Sequence, residues 1–307
     1  MPRDGTAYAQ AYKRDWPRVN EGLVRRGELY LDLAWVGTWD DEVRRMNDGK
    51  RGRPYGFPES LMAFLRTFRS VLDAPLRQLE GFLRSLGKVL PTVRPADYTT
   101  IWRRLARMEA LPLVLPAGDG PIVVAVDSTG IKVTDRGEWM RETWHRHGGW
   151  IKVHVAVSVR GGVVALEVTD ERTADTTVFP SLIQEAVAAV GHGRISDVLA
   201  DAAYDSRRNF AALADAGIRP GIKIRAGASR KSLGVSARPR AVRELRRLGY
   251  DGWRDAHGYG RRWAVEGTFS AVKRIFGESV RARRRDLMLR EVRTKFALYN
   301  ALLQGGT

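Results

Sequence analysis

IVVAVD, residues 122–127, is an apolar run closed by an aspartate, and its reading decides the fold. Its β-branched composition predicts a buried strand. Downstream, IKVHVAVSV at 151–159 and VVALEV at 163–168 are two more strand-like runs, and Arg160-Gly161-Gly162 between them predicts a hairpin. The period then changes. An amphipathic helix is expected over 177–190, a short strand over 198–200, a helix over 206–216 and a strand around 222–224. A basic, irregular stretch with one helix at 240–248 precedes two last helices, 259–276 and 287–303. Antiparallel strands followed by alternating helix and strand predict a mixed α/β sheet.

On the amino-terminal side, three helical patterns occupy 58–72, 75–86 and 97–108, with Pro58 and Pro75 near the starts of the first two. Short connections suggest a helix-turn-helix-like bundle. Its third helix is expected to carry Arg103, Arg104 and Arg107 on an exposed side, either as a helix lying on DNA or as a solvated charged face. Residues 1–52 mix aromatics with charges and predict no element. LPLVLPAGDGP, 111–121, has the proline and glycine density of a linker. The expected organisation is an α-helical, DNA-binding amino-terminal domain over 1–110, a linker over 111–121, and a catalytic domain over 122–303 with a basic insert near 225–258.

Lys and Arg number 52 against 35 Asp and Glu, a formal charge of +17. So large an excess of one sign favours a polyanionic partner. No apolar run approaches the roughly 18 residues of a membrane span, and the first residues lack the apolar core of a signal peptide. A cytoplasmic, nucleoid-associated protein is expected. The absence of cysteine excludes disulfides, thiolate zinc sites and cysteine nucleophiles. Any metal must therefore be held by oxygen or imidazole.

Asp127 and Asp201 each close an apolar strand pattern, which would place both at the carboxyl edge of the sheet, where open α/β sheets usually bind ligands. Either alone also fits a turn-forming or helix-capping aspartate. Glu266 is placed by helical geometry. At about 100° per residue, Tyr259, Arg262, Glu266 and Lys273 share one narrow stripe beside an apolar stripe of Val265, Phe269, Val272 and Phe276. An ordinary Arg262–Glu266 surface pair is compatible with the same spacing.

Tyr259-x2-Arg262-x3-Glu266-x6-Lys273 in YGRRWAVEGTFSAVK resembles the Y-R-E-K signature of bacterial and archaeal insertion-sequence transposases. VVAVDSTGIK resembles their first-aspartate motif and VLADAAYDS their second. PLRQLEGFLRSLGKVL followed by DYTTIWRRL is similar to the helical region preceding the catalytic domain in the insertion sequence five group. The resemblance covers residues 54–303. It implies a ribonuclease-H-like catalytic core, a mixed five-stranded sheet with helices on both faces, in a DDE transposase acting on double-stranded DNA. It further implies that Asp127, Asp201 and Glu266 hold two Mg²⁺ ions, with Mn²⁺ a substitute. Such a pair, about 3.5–4 Å apart, activates the attacking oxygen and stabilises the leaving one. Water, then the freed transposon 3′-OH, would be the nucleophile. Tyr259, Arg262 and Lys273 would contact the DNA backbone near the cleaved end. The partners implied are inverted-repeat ends and target DNA, engaged by a synaptic homodimer. A ribonuclease-H-like nuclease would share the acids without needing the Y-R-E-K row, and a transposase-derived repressor would bind DNA without cleaving it.

Weaker signals have plain structural readings. His145 and His147 lack the partners of a zinc site. Trp139, Trp144 and Trp150 suit a core or a base-stacking surface. Asp135, Glu138 and Glu142 are not placed at a strand edge. Asp205 is expected to cap the helix from Ser206, and Lys152 and Trp263 to approach DNA. The basic 225–247 segment and RARRR at 281–285 suit phosphate contacts.

Overall fold

A computed structural model describes residues 16–115, 118, 120–133, 149–228 and 236–304. The chain divides into two compact units, one drawn from Met1–Arg107 with Ala301–Thr307 and the other from Met108–Asn300.

The first unit is helical: α1 (Trp16–Tyr30), α2 (Trp35–Asn47), α3 (Glu59–Leu72), α4 (Leu76–Val89) and α5 (Tyr98–Arg107). Pro58 and Pro75 stand at the N-cap positions of α3 and α4 in extended backbone, which suits a ring that fixes φ and has no N–H to donate. Leu61, Leu65, Leu79, Leu83 and Ile101 are fully buried, each contributing roughly 1.5–3 kcal/mol by leaving water. Helices α1 and α2 fall where the sequence predicts no element. Helix α2 is held from one side: Trp35 and Trp39, one turn apart, are buried against each other and against Phe64 and Phe57. Tertiary packing, rather than a repeated apolar pattern, defines it.

The second unit is a mixed sheet with helices on both faces. Its strands are β1 (Ile122–Val133), β2 (Trp150–Ser158), β3 (Val163–Asp170), β4 (Ile195–Ala200), β5 (Arg219–Ile222) and β6 (Ser279–Val280). The order is β3-β2-β1-β4-β5, with β1–β3 antiparallel and β4 and β5 parallel to β1. This is the ribonuclease-H-like arrangement that the resemblance implies, with one difference. A two-residue strand, β6, pairs in parallel with the far end of β1 at Lys132 and Val133, making six strands rather than five. So short a segment has no periodicity of its own to read.

Strand parity places the helices. Val124, Val126 and Ala156 join the core beneath α6 (Asp175–Val190), which contributes Phe179, Leu182, Ile183 and Ala186. Helix α9 (Trp263–Phe276) packs on β1 and β2 and buries Val265, Phe269, Val272 and Phe276. Helix α10 (Arg285–Gln304) contributes Phe296, whose ring meets Phe269 edge-on at 6.5 Å. Asn300, fully buried, accepts from Val163 N–H at 2.7 Å and donates to its carbonyl at 2.8 Å, fastening α10 to the start of β3.

Between β4 and β5 lies α7 (Arg207–Asp215), capped by Ser206, whose hydroxyl accepts from Asn209 N–H at 3.1 Å. Asp205 is therefore not the cap. Its buried carboxylate takes a forked pair from Arg238 at 2.7 and 2.9 Å and accepts from Arg225 N–H at 3.0 Å. That clamp seats α8 (Ala237–Ala256), which is bent at Gly249, where φ is +69° and only glycine is unstrained.

Candidate active site

Asp127 does not close its strand as expected but lies in the middle of β1, which runs on to Val133 through its pairing with β2 and β6, whereas Asp201 immediately follows β4. Val126 is in register with Ala200 on these adjacent parallel strands, so the two aspartates occupy the next level side by side. Asp127 Oδ1 accepts from Ser128 N–H at 2.8 Å. Asp201 Oδ1 accepts from Ala203 N–H at 2.8 Å and caps the single 3-10 turn Ala202–Tyr204, so it also fills the capping role that its position allowed.

Helix α9 brings Glu266 to the same edge. It is preceded by a 3-10 turn, Tyr259–Arg262, entered through Gly258 at φ +54°. Arg262 ends that turn and donates Nη1 to Asp127 Oδ2 at 2.8 Å and Nη2 to Glu266 Oε1 at 2.5 Å. The i,i+4 pair expected from the spacing is present. Its guanidinium also reaches a carboxylate 135 residues away in sequence.

Burial raises the Asp127 carboxyl above its ordinary value; Ser128 N–H and Arg262 oppose the shift, while Asp201 adds to it. Burial works against the Arg262 charge too, but Tyr259, Asp127 and Glu266 outweigh it and hold the guanidinium protonated. Among the described residues no three Asp, Glu or His side chains are already gathered as a metal site; Arg262 is interposed between Asp127 and Glu266. A cavity of about 430 Å³ opens beside Asp201, with Lys223, Arg254 and Arg262 as cations and Tyr250 and Trp263 as aromatic walls.

Residues 118–301 match the family described as Transposase DDE domain, and residues 24–136 match a second family of the same description. The chain belongs to the DDE transposase family. The particular insertion-sequence group is not specified by these matches. Among solved structures, the chain is similar to piggyBac transposase in a synaptic complex with hairpin DNA, at 10% identity and TM-score 0.40, covering 92% of this chain and 74% of that one. It also matches a chain of the simian T-cell lymphotropic virus intasome bound to the PP2A regulatory subunit B56 gamma, at 16% identity and TM-score 0.25, covering 62% and 66%. Both likenesses are distant, and the family membership rests on the sequence matches.

Within this transposase domain the four signature residues are not equivalent. Arg262 and Glu266 are in direct contact, and Lys273 lies half-exposed further along α9. Tyr259 is turned inward. It is 9% exposed and donates its hydroxyl to the carbonyl of Ala200, the residue before Asp201, at 3.3 Å. In a 3-10 turn the side chains at i and i+3 eclipse, so Tyr259 stands in line with Arg262 although the helix is not continuous. Its hydroxyl supports the Asp201 strand end, and the residue lines the cavity beside Asp201. In the helical unit, Arg103 and Arg107 are exposed, but Arg104 is not. Its guanidinium pairs with Glu59, donates to the Phe57 carbonyl at 3.1 Å and lies over the Tyr55 ring at 5.0 Å.

Trp263, at 72% exposure, is free to approach DNA. Lys152 is instead engaged internally, with Nζ 3.0 Å from Asp175 Oδ1. Asp175, Ser128 and Tyr204, which cluster beneath the acids, are not singled out by sequence reading. Their only signal is adjacency to the aspartate motifs and to a helix start. Asp135, Glu138, Glu142, His145, His147, Trp139 and Trp144 lie outside the described residues. Trp150 is described, 44% exposed, with its ring against Gly130 and beneath Lys132 Nζ at 5.4 Å.

Proposed function

We propose that this chain cleaves DNA at the ends of a transposable element and joins the freed 3′-OH to target DNA, with Asp127, Asp201 and Glu266 holding divalent cations. One observation carries the reading. Carboxylates from the middle of β1, the end of β4 beside it and α9 approach one another, and Arg262 joins two of them. The donor set is all oxygen, which suits Mg²⁺ with Mn²⁺ as a substitute. Asp127, disfavoured as a charge by burial and by Asp201, is in the electrostatic position that a cation relieves. Bound there, a pair of such ions supplies Lewis-acid stabilisation of the attacking and leaving oxygens of a phosphodiester.

The chain's own groups do the rest. Arg262, once drawn to a substrate phosphate, offers a forked donor that orients it and offsets developing charge. Lys223 and Arg254 extend that field along the cavity, and Trp263 presents an exposed ring to the bases. Tyr259, through the Ala200 carbonyl, holds the strand end that presents Asp201. Lys273, Arg103 and Arg107 are exposed or half-exposed cations suited to the DNA backbone, in keeping with the +17 charge. The helical unit is assigned to reading inverted-repeat ends, and a homodimer to holding two ends together. Among the described residues no helix is long and apolar enough to cross a membrane, and the site of action assigned is the nucleoid.

The test is a supercoiled plasmid carrying the element's flanking DNA, incubated with purified protein and Mg²⁺, with breaks mapped at nucleotide resolution. Metal-dependent 3′ nicks at the element ends, lost in Asp127→Ala, are expected. Binding without metal-dependent breaks would identify a repressor, and scattered cleavage a general nuclease.

A further inference from the structure

Arg262 sits on the oxygens that a cation would need. Asp127 Oδ1 already accepts from Ser128 N–H at 2.8 Å, and Arg262 Nη1 takes the other oxygen, Oδ2, at 2.8 Å. Arg262 Nη2 lies 2.5 Å from Glu266 Oε1, so one guanidinium spans two of the three acids. Glu266 does not depend on that contact for its charge. It stands in the first turn of α9, where the helix N-terminus stabilises a carboxylate.

The bridge can be exchanged for another. The three side chains are between 19 and 40% exposed, so solvent screens their contacts and a competing anion meets little resistance. Such an anion has a place to bind. Arg262 also lines the cavity of about 430 Å³ beside Asp201, where Lys223 and Arg254 supply two further cations. A guanidinium offers a phosphodiester the same planar fork that it offers a carboxylate. Where that fork points decides the field at the acids. On Asp127 and Glu266 its positive charge opposes a divalent cation; on a phosphate it leaves both carboxylates free.

We propose that Arg262 makes cation binding contingent on DNA: in the free protein it competes with divalent cations for Asp127 and Glu266, and a DNA phosphate in the cavity draws it away. The inference rests on the reading of these acids as cation ligands. A chain without DNA then holds its cations weakly, and the acids become full ligands only where a phosphate is at hand. The coupling is reciprocal, so cations tighten DNA binding by the factor with which DNA tightens cation binding. A fixed brace predicts the opposite sign. Removing a brace lets the acids part and weakens cation binding, whereas removing a competitor strengthens it.

The test is calorimetric titration of the full-length chain with Mn²⁺, with and without a short duplex that ends at the already cleaved element end. Wild type is compared with Arg262→Gln, which removes the charge, and Arg262→Lys, which keeps the charge without the fork; Asp127→Ala is the control. Thermal unfolding checks each fold, and Arg262→Lys carries the comparison if Arg262→Gln does not fold. Without DNA, Mn²⁺ affinity is expected to be about fivefold or more tighter in Arg262→Gln than in wild type, the scale usual for coupled sites, with Arg262→Lys between them. The duplex should tighten Mn²⁺ binding more on wild type than on Arg262→Gln, because only wild type has a competitor to release. Variants that bind Mn²⁺ no more tightly than wild type without DNA would overturn the proposal and leave Arg262 a fixed brace. Absence of Asp127-dependent Mn²⁺ binding in wild type with the duplex present would overturn the parent reading together with this one, and is told apart because it appears without any change at 262.

Discussion

Arg262 stands between Asp127 and Glu266, donating one guanidinium nitrogen to each at 2.8 and 2.5 Å. It supplies positive charge at a point where two carboxylates converge from a strand and a helix. A planar fork spans two acceptors in a way that a single ammonium does not. Without metal, therefore, Arg262 holds the site together.

Replacing Arg262 with Ala or Lys is expected to destabilise the metal-free protein by about 1–3 kcal/mol. That is less than for a fully buried pair, because all three side chains retain some exposure. Thermal unfolding should show a drop of roughly 2–4 °C per kcal/mol, and added Mg²⁺ should recover part of it. No change in melting, or no recovery, would show that the bridge does not stabilise the site.

Asp127 carries the opposite sign. Its folded-state value is raised, so its contribution to stability is fully present below the ordinary carboxylate value near 3.9 and is lost as pH rises through the folded-state value. Asp127→Asn should remove that loss. The metal-free Asp127→Asn variant is expected to melt higher than wild type at pH 7 while failing to cleave DNA, and the gap should close as pH falls below the ordinary carboxylate value. A metal-free Asp127→Asn variant that melts no higher than wild type at pH 7 would contradict the assignment.

Tyr259 is expected to show no titration in the working range. Burial, with Asp201 adding and Arg262 opposing, pushes its phenol up to about 12. Cleavage should accordingly lack an alkaline limb from this group between pH 7 and 10, in wild type and Tyr259→Phe alike. The Phe variant loses one hydrogen bond to the Ala200 carbonyl, worth about 1 kcal/mol. A pH 8–9 limb abolished by Tyr259→Phe would refute this.

Asp205→Ala should cost on the order of 3 kcal/mol, because it strands the Arg238 guanidinium and frees the Arg225 N–H. Since the same carboxylate seats α8, which carries Tyr250 and Arg254 into the cavity wall, cleavage should fall with stability. The double variant Asp205→Ala with Arg238→Met is expected to recover stability relative to Asp205→Ala alone, read by urea unfolding. Failure to recover would show that the two residues act independently.

The first four strands are legible in the sequence because they contain apolar, β-branched runs, whereas the two-residue β6 leaves no such mark. Glu266 and its stripe are legible because helical spacing is arithmetic. Helices α1 and α2 are not, since only a few large side chains on one side of α2 bury and α1 leaves Leu23 and Val24 exposed. Arg104 reads as exposed because a guanidinium drawn inward by Glu59, a carbonyl and a ring looks, in sequence, like any surface arginine.

What the sequence determined by itself was the order of the main strands and helices of the second unit and the choice of Asp127, Asp201 and Glu266 as candidates, both local properties of patterned chain. The tertiary structure alone decided which partners those acids have: Arg262 reaching across to Asp127 in β1, and Tyr259 donating to the carbonyl of Ala200 beside Asp201. The physical reason is that a charge in a partly buried site is stabilised by whichever opposite group the fold brings within about 3 Å, and such contacts join positions that no local pattern relates.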